Sequence, residues 1–267
     1  MRIGALTPVR LASERLPGKA LMEICGRPVI YHLLDRMTAS RHIQDPADVV
    51  VCTTEEATDD PLVEAVGHYG CSTFRGSTDD IIKRFGDAIQ HFGFDAVMQA
   101  DGDDPLSAPE YLDLTMDRLL TDEDIDIVTS AGLPLGCNVK SFTTDAMRKV
   151  LAAYRSDQND TGFADYFTKS GICHHEVIQP VSSDHTHETA RLTLDYDVDF
   201  EFFRRIFEAL YREGEIFGTA EMVALLNKNT DWIEINRHVE EEYWSRHSAK
   251  SVLEFVDDTG TVRRIGS

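Results

Sequence analysis

Four short apolar runs, at residues 3–9, 48–53, 71–74 and 96–100, alternate with segments whose apolar residues recur at helical spacing. This rhythm constrains the fold more than any other feature. Between the first two runs, Ile30, Leu33, Leu34 and Met37 fall on one helical face, opened by Pro28 where a missing amide costs least. A weaker helical segment, 61–69, separates the second run from the third. The stretch 78–92 then carries apolar residues at 81, 82, 85, 88, 89 and 92, with Ser77 or Thr78 placed to cap it. Short apolar runs of this kind sit inside parallel sheets, buried on both faces. Alternation at this spacing indicates βαβ units, so the expectation is an α/β protein: a mainly parallel, mixed sheet with helices on both faces.

The rhythm continues beyond Pro105. The pattern predicts a helix over 109–120, a strand at 126–130, an extended stretch over 138–143 and a helix over 144–154. Residues 155–171 begin polar and irregular, as a mobile loop or lid would. Strands are expected at 176–181 and 189–194, then a helix carrying Phe200, Phe203, Ile206, Phe207 and Leu210. A helix over 231–247 precedes two apolar runs flanking Asp257-Asp-Thr-Gly260, a hairpin signal. No linker divides the chain, so 1–267 reads as one domain with 231–267 as a helix-plus-hairpin appendage.

Charge narrows the partners. With 26 basic against 47 acidic residues, a formal −21, nucleic acid and anionic membranes are disfavoured. Arg2 and Arg10 bracket an apolar run too short for a signal sequence, and no run reaches membrane-spanning length, so a cytoplasmic location is expected. The five cysteines are scattered without a Cys-x-x-Cys pair and read as reduced, mostly buried small hydrophobes.

Against this acidic background Arg10-Leu-Ala-Ser-Glu-Arg-Leu-Pro-Gly-Lys19 stands out, directly behind the first apolar run. Alone, such a ten-mer is also an ordinary solvated loop. At the carboxyl end of a strand it becomes a candidate grip for a polyanion. Arg10 and Arg15 offer planar forks of donors to phosphate oxygens, Lys19 a compact charge and Ser13 a hydroxyl, while Pro17-Gly18 turns the chain back. Asp101-Gly-Asp-Asp-Pro105 leaves the run 96–100 on the same expected edge, and its carboxylates suit a hard cation such as Mg²⁺. Asp195-Tyr-Asp-Val-Asp199 forms a second acidic group after the expected strand 189–194.

The motifs Arg10-x-x-Ser13-x-Arg15-Leu-Pro-Gly-Lys19, Phe74-Arg-Gly-Ser-x-Asp-Asp80, Gly102-Asp-Asp-Pro-Leu106 and Leu192-Thr-Leu-Asp-Tyr-Asp-Val-Asp-Phe200 together resemble the cytidylyltransferase family. That family includes CMP-Kdo and CMP-sialic acid synthetases, and the nearest likeness is to its spore-coat polysaccharide branch. The resemblance implies a nucleotide-diphosphosugar-transferase, Rossmann-like fold. It also implies a reaction in which CTP and an acceptor oxygen give a CMP-linked product and pyrophosphate. By motif position Arg10, Ser13, Arg15 and Lys19 would hold the triphosphate, with Arg10, Arg15, Lys19 and Asp103 carrying the chemistry. Asp103 and Asp195 would hold Mg²⁺. Thr7, Pro8, Thr53, Thr54, Arg75, Gly76 and Ser77 would line the nucleotide.

The acceptor half departs from the family pattern. Asn138-Val-Lys140 stands where an Asp-x-Glu pair is common, and Asp160-Thr-Gly162 where an Arg-Glu-His run is common. Lys140 hints at an acid sugar or other anionic acceptor. Asn138, His187 and Arg191 are further acceptor candidates, Arg191 by its charge. His185-Thr-His187-Glu188 could alternatively ligate a transition metal, since alternate residues of an extended segment share a face. Trp232, Ile233, Ile235, Val239, Tyr243 and Trp244 either cover the sheet or form a homodimer interface. Two rival functions remain open on sequence: a glycosyltransferase reading Asp101-Gly-Asp103 as a metal site for a nucleotide sugar, and a catalytically silent nucleotide-binding relative.

Overall fold

A computed structural model describes residues 1–156, 162–250, 253–257 and 259–265. In chain order its strands are β1 (Ile3–Pro8), β2 (Glu23–Ile24), β3 (Arg27–Pro28), β4 (Val49–Thr54), β5 (Ser72–Gly76), β6 (Ala96–Gln99), β7 (Ile127–Ser130), β8 (Lys140–Thr143), β9 (His175–Ile178), β10 (Leu253–Val256) and β11 (Val262–Ile265). The helices are α1 (Val29–Thr38), α2 (Asp60–Tyr69), α3 (Ile81–Phe92), α4 (Pro109–Leu120), α5 (Thr144–Ala153), α6 (Asp165–Thr168), α7 (Asp197–Leu210), α8 (Thr219–Lys228), α9 (Thr230–Arg237) and α10 (Glu240–Lys250).

Seven strands form one sheet in the order β5-β4-β1-β6-β8-β7-β9. All neighbours are parallel except β8, which runs antiparallel between β6 and β7. The fold is thus the mixed, mostly parallel α/β sheet that the periodicity predicts. Because successive side chains of a strand point to opposite faces, Ala5, Val49, Val51 and Met98 join α1, α2, α4 and α7 to α9 on one side. Leu6, Val50, Cys52, Val97 and Phe142 meet α3, α5 and α6 on the other. Among the described residues no helix is long and apolar enough to cross a membrane.

The chain leaves β1 for β4 on one side and later returns to β6 on the other. The loops after β1 and β6 therefore diverge from adjacent strand ends, where open α/β sheets leave a crevice. Gly102 allows the two loops to touch there: a Cβ at this position would lie 2.2 Å from the Pro8 carbonyl oxygen.

Several expectations need correction. Asp80, not Ser77 or Thr78, caps α3, its carboxylate accepting the Lys83 amide at 2.8 Å. Residues 189–194 are not a strand. They make one isolated parallel bridge, Leu135 to Arg191, and cross the ends of the sheet, with the Leu194 amide donating to the Asp103 carbonyl at 2.7 Å. The strand expected at 176–181 is present as β9, His175–Ile178, at the sheet edge. Helix α8 is an addition, its buried Met222, Val223 and Leu226 at helical spacing supplying the signal. The helix expected over 231–247 is two, α9 and α10. Ile233 is buried while Trp232 and Ile235 pack against the core, so these residues cover the fold; Trp244 is exposed. Of the expected loop 155–171, residues 157–161 lie outside the described residues.

The β10–β11 hairpin packs on the face of α3 and α5, burying Leu253, Phe255 and Ile265. It also braces the segment around α6. The Glu254 carbonyl accepts the Arg155 amide at 2.8 Å and the Tyr166 hydroxyl at 3.0 Å, and its amide donates to the Ser156 hydroxyl at 2.9 Å.

Candidate functional site

The crevice between the β1 and β6 loops encloses about 400 Å³. Arg10, Ser13, Arg15 and Lys19 line one side, and Asp101, Asp103, Asp104 and Asp195 the other. The basic loop starts at a buried anchor. Asp59, 1% exposed, accepts the Leu11 amide at 2.7 Å, the Thr53 hydroxyl at 2.9 Å, the Thr54 amide at 3.2 Å and the Thr54 hydroxyl. Burial pushes the Asp59 carboxyl upward, but the hydrogen bonds from Thr54, Leu11 and Thr53 outweigh it and hold it below the usual carboxylate range. With the folded pKa depressed, the stabilisation is whole above about pH 4 and is lost as pH falls through the lowered value. Asp59→Asn is therefore expected to be less stable than wild type at about pH 6, by a gap that narrows as pH falls below about 4, read by urea unfolding. An unchanged gap would dismiss the anchor.

Asp195 is the centre of the site. It is wholly buried, and its Oδ1 accepts Arg15 Nη2 at 2.5 Å and Lys19 Nζ at 3.1 Å, while Oδ2 accepts Arg191 Nη2 at 3.2 Å. Lys19 also donates to the Leu194 carbonyl at 2.6 Å and reaches Asp103 at 3.5 Å. Burial alone would lower the pKa of Lys19, but Asp103 and Asp195 outweigh it and raise it, so the ammonium stays charged. Arg15 is held the same way, burial opposing and Asp195 prevailing, with its guanidinium 5.2 Å from the Tyr196 ring. Asp104 is 8% exposed with no partner at Oδ1, and burial, then Asp103 and Asp101, push its pKa well up.

The structure brings together Pro8, Arg10, Ser13, Arg15, Lys19, Asp103, Lys140 and Asp195. Lys140 faces Asp101 at 3.2 Å, also donates to Gln99, and lies 5.5 Å from the Phe163 ring. Other candidates lie elsewhere. Thr7 is buried within β1, and Thr53 and Thr54 spend their hydroxyls on Asp59. Arg75 is drawn away to the Thr54 and Glu56 carbonyls and Asp60. Gly76 is buried beside Arg84, and the Ser77 hydroxyl accepts the Asp80 amide at 3.2 Å. Asn138 sits near Ser130, and His187 Nδ1 accepts the Ala190 amide at 3.1 Å. Arg191, 2% exposed, is sealed behind Asp195 and supports it rather than meeting an acceptor. His185 ends a short 3₁₀ turn and pairs with the Tyr111 hydroxyl at 2.9 Å, so the two histidines serve separate contacts.

Sequence reasoning missed Arg84, Phe163 and Tyr243, all on the cleft wall. Arg84 is 3% exposed and donates to the Ser77 and Thr78 carbonyls at 2.7 and 2.9 Å. A charged residue set between Ile81 and Phe85 on an apolar helix face was its signal.

The cleft carboxylates are of the donor type that Mg²⁺ takes. Asp103 and Asp195 converge on a single cation, Lys19, and the orphaned Asp104 oxygen lies among them. Hard carboxylate oxygens suit this ion, which takes remaining ligands from water and phosphate. Among the described residues no group of three or more His, Cys, Asp or Glu is placed to hold a metal by itself.

Residues 5–216 match the family model described as cytidylyltransferase. The chain is 25% identical over 244 residues to the uncharacterized protein MJ1063 of Methanocaldococcus jannaschii, covering 91% of this chain and 97% of that one. It is 31% identical over 176 residues to 3-deoxy-manno-octulosonate cytidylyltransferase of Yersinia pseudotuberculosis, covering 63% of this chain and 62% of that enzyme. A cytidylyltransferase structure from Leptospira borgpetersenii superposes with a TM-score of 0.78 at 25% identity, over 87% of this chain and 97% of that one. The fold is shared with CMP:2-keto-3-deoxy-manno-octonic acid synthetase complexed with CTP, at a TM-score of 0.60 and 14% identity, over 78% and 99%.

Proposed function

The chain belongs to the cytidylyltransferase family, and from that premise we propose that its cleft condenses CTP with an acid sugar or related anionic acceptor, giving a CMP-linked product and pyrophosphate. The observation that carries this reading is the convergence of Arg15 and Lys19 on Asp195, facing Asp103 across one crevice. A triphosphate entering there meets forked and compact cations together. An acceptor hydroxyl oxygen attacks the α-phosphorus, the bond to the β-phosphate oxygen breaks, and the electron pair leaves with pyrophosphate as the hydroxyl proton is released. Such displacement needs alignment and charge neutralisation more than a protein nucleophile. Mg²⁺ held by Asp103 and Asp195 would supply part of that neutralisation. The pairing of Lys140 with Asp101 on the cleft wall beside Phe163 supports an anionic acceptor, whose carboxylate would replace Asp101.

Calorimetry with CTP and Mg²⁺ is expected to show one saturable site. A panel of acid sugars, CTP and pyrophosphatase should then release phosphate with one of them. Absence of nucleotide binding would sink the proposal, and release of a nucleoside di- or monophosphate from a nucleotide sugar, with no pyrophosphate formed from CTP, would favour a glycosyltransferase.

A further inference from the structure

Asn236 lies on α9, beyond the stretch that matches the family model, and is 1% exposed. Its side-chain amide donates to Asp199 Oδ1 at 2.8 Å and to the Arg191 carbonyl at 2.9 Å. Both acceptors belong to residues that hold Asp195. Asp199 Oδ2 takes the backbone amides of Asp195 at 2.9 Å and Tyr196 at 2.8 Å, fixing the chain on which the central carboxylate is mounted. Arg191 bridges the two carboxylates, bonding Asp199 with one nitrogen and Asp195 with the other. Its Nε has no partner, so the guanidinium is located by those two bonds and by its stacking. Two rings flank it: Tyr196 at 5.6 Å and, from α10, Tyr243 at 4.7 Å, which also forms part of the cleft wall.

We propose that Asn236 is a positioning residue for Asp195, and that α9 and α10 are thereby a working part of the site rather than an appendage to it. Both donors of the Asn236 amide are used on this one network, which leaves neither for a separate packing duty. Buried polar networks fix geometry when their members are satisfied together. Losing Asn236 removes the donor to the Arg191 carbonyl and one of the two donors to Asp199 Oδ1 at once, which loosens the hold of both residues on Asp195 and so its relation to Arg15 and Lys19.

The inference rests on reading the cleft as a CTP site, so the test begins with wild-type affinity for CTP with Mg²⁺ by calorimetry. Asn236→Leu is expected to weaken binding about tenfold, and the same substitution in an Asp195→Asn background to add little, because residues of one network are not additive. Tyr243→Leu, on the cleft wall, should weaken binding in the same direction. Asn236→Ser, which is smaller, gives the same reading should the leucine variant not fold. Failure of wild type to bind CTP removes the functional reading itself. If wild type binds and a folded Asn236 variant binds as tightly, or if the losses with Asp195→Asn simply add, Asn236 has no positioning role.

Discussion

Lys19→Ala is expected to reduce pyrophosphate release from CTP about a hundredfold, on the order of 3 kcal/mol in the barrier, while the protein stays folded. The side chain is 13% exposed, and its ammonium stands between Asp103, Asp195 and the Leu194 carbonyl, at the place where the triphosphate would bring its charge. No neighbour can substitute for it, since Arg15 is already committed to the same Asp195 oxygen and does not reach the Leu194 carbonyl that Lys19 holds. The fold should tolerate the change, because Asp195 keeps Arg15 and Arg191. A coupled phosphate assay together with a thermal melt separates the two effects. Near-normal release by the alanine variant would take Lys19 out of the reaction.

Asp195→Ala should instead unfold the protein readily. Three cations converge on a carboxylate with no solvent exposure, and Arg191 behind it is 2% exposed. Removing the anion leaves like charges buried and facing one another, which costs about 3–5 kcal/mol in comparable buried pairs. Asp195→Asn preserves shape and some hydrogen bonding, so its loss should be smaller. Urea unfolding of the three proteins reads the order directly. An alanine variant as stable as wild type would mean that the cations relax into water, and the central role given to Asp195 would fall.

What could be read from residues alone was what local pattern dictates. The early strands and helices were legible because buried strands are continuous apolar runs and α1 and α3 carry their apolar residues on one face. The grip loop and the acidic loop were legible because charge at a strand end is a local feature. Arg191 was misread for the opposite reason. Its partners are Asp195, Asp199 and, through its carbonyl, Asn236, and a sequence gives no sign that an arginine will be enclosed by them rather than face a substrate. Thr53 and Thr54 lie near the cleft in sequence order, yet Asp59 claims their hydroxyls. The extended segment 189–194 has strand-like composition without strand neighbours, since pairing depends on where the sheet ends.

The hairpin that braces Tyr166 and Ser156 has a consequence for how the protein is made. Glu254 lies 98 residues downstream of Ser156, so at a synthesis rate of about 5–20 residues per second the ribosome needs about 5–20 s to deliver the brace after the segment it supports. Throughout that interval the wall bearing Phe163 emerges without its downstream support. A nascent chain arrested before Leu253 should therefore hold nucleotide poorly, and competence should arrive late in translation, as a step rather than by degrees.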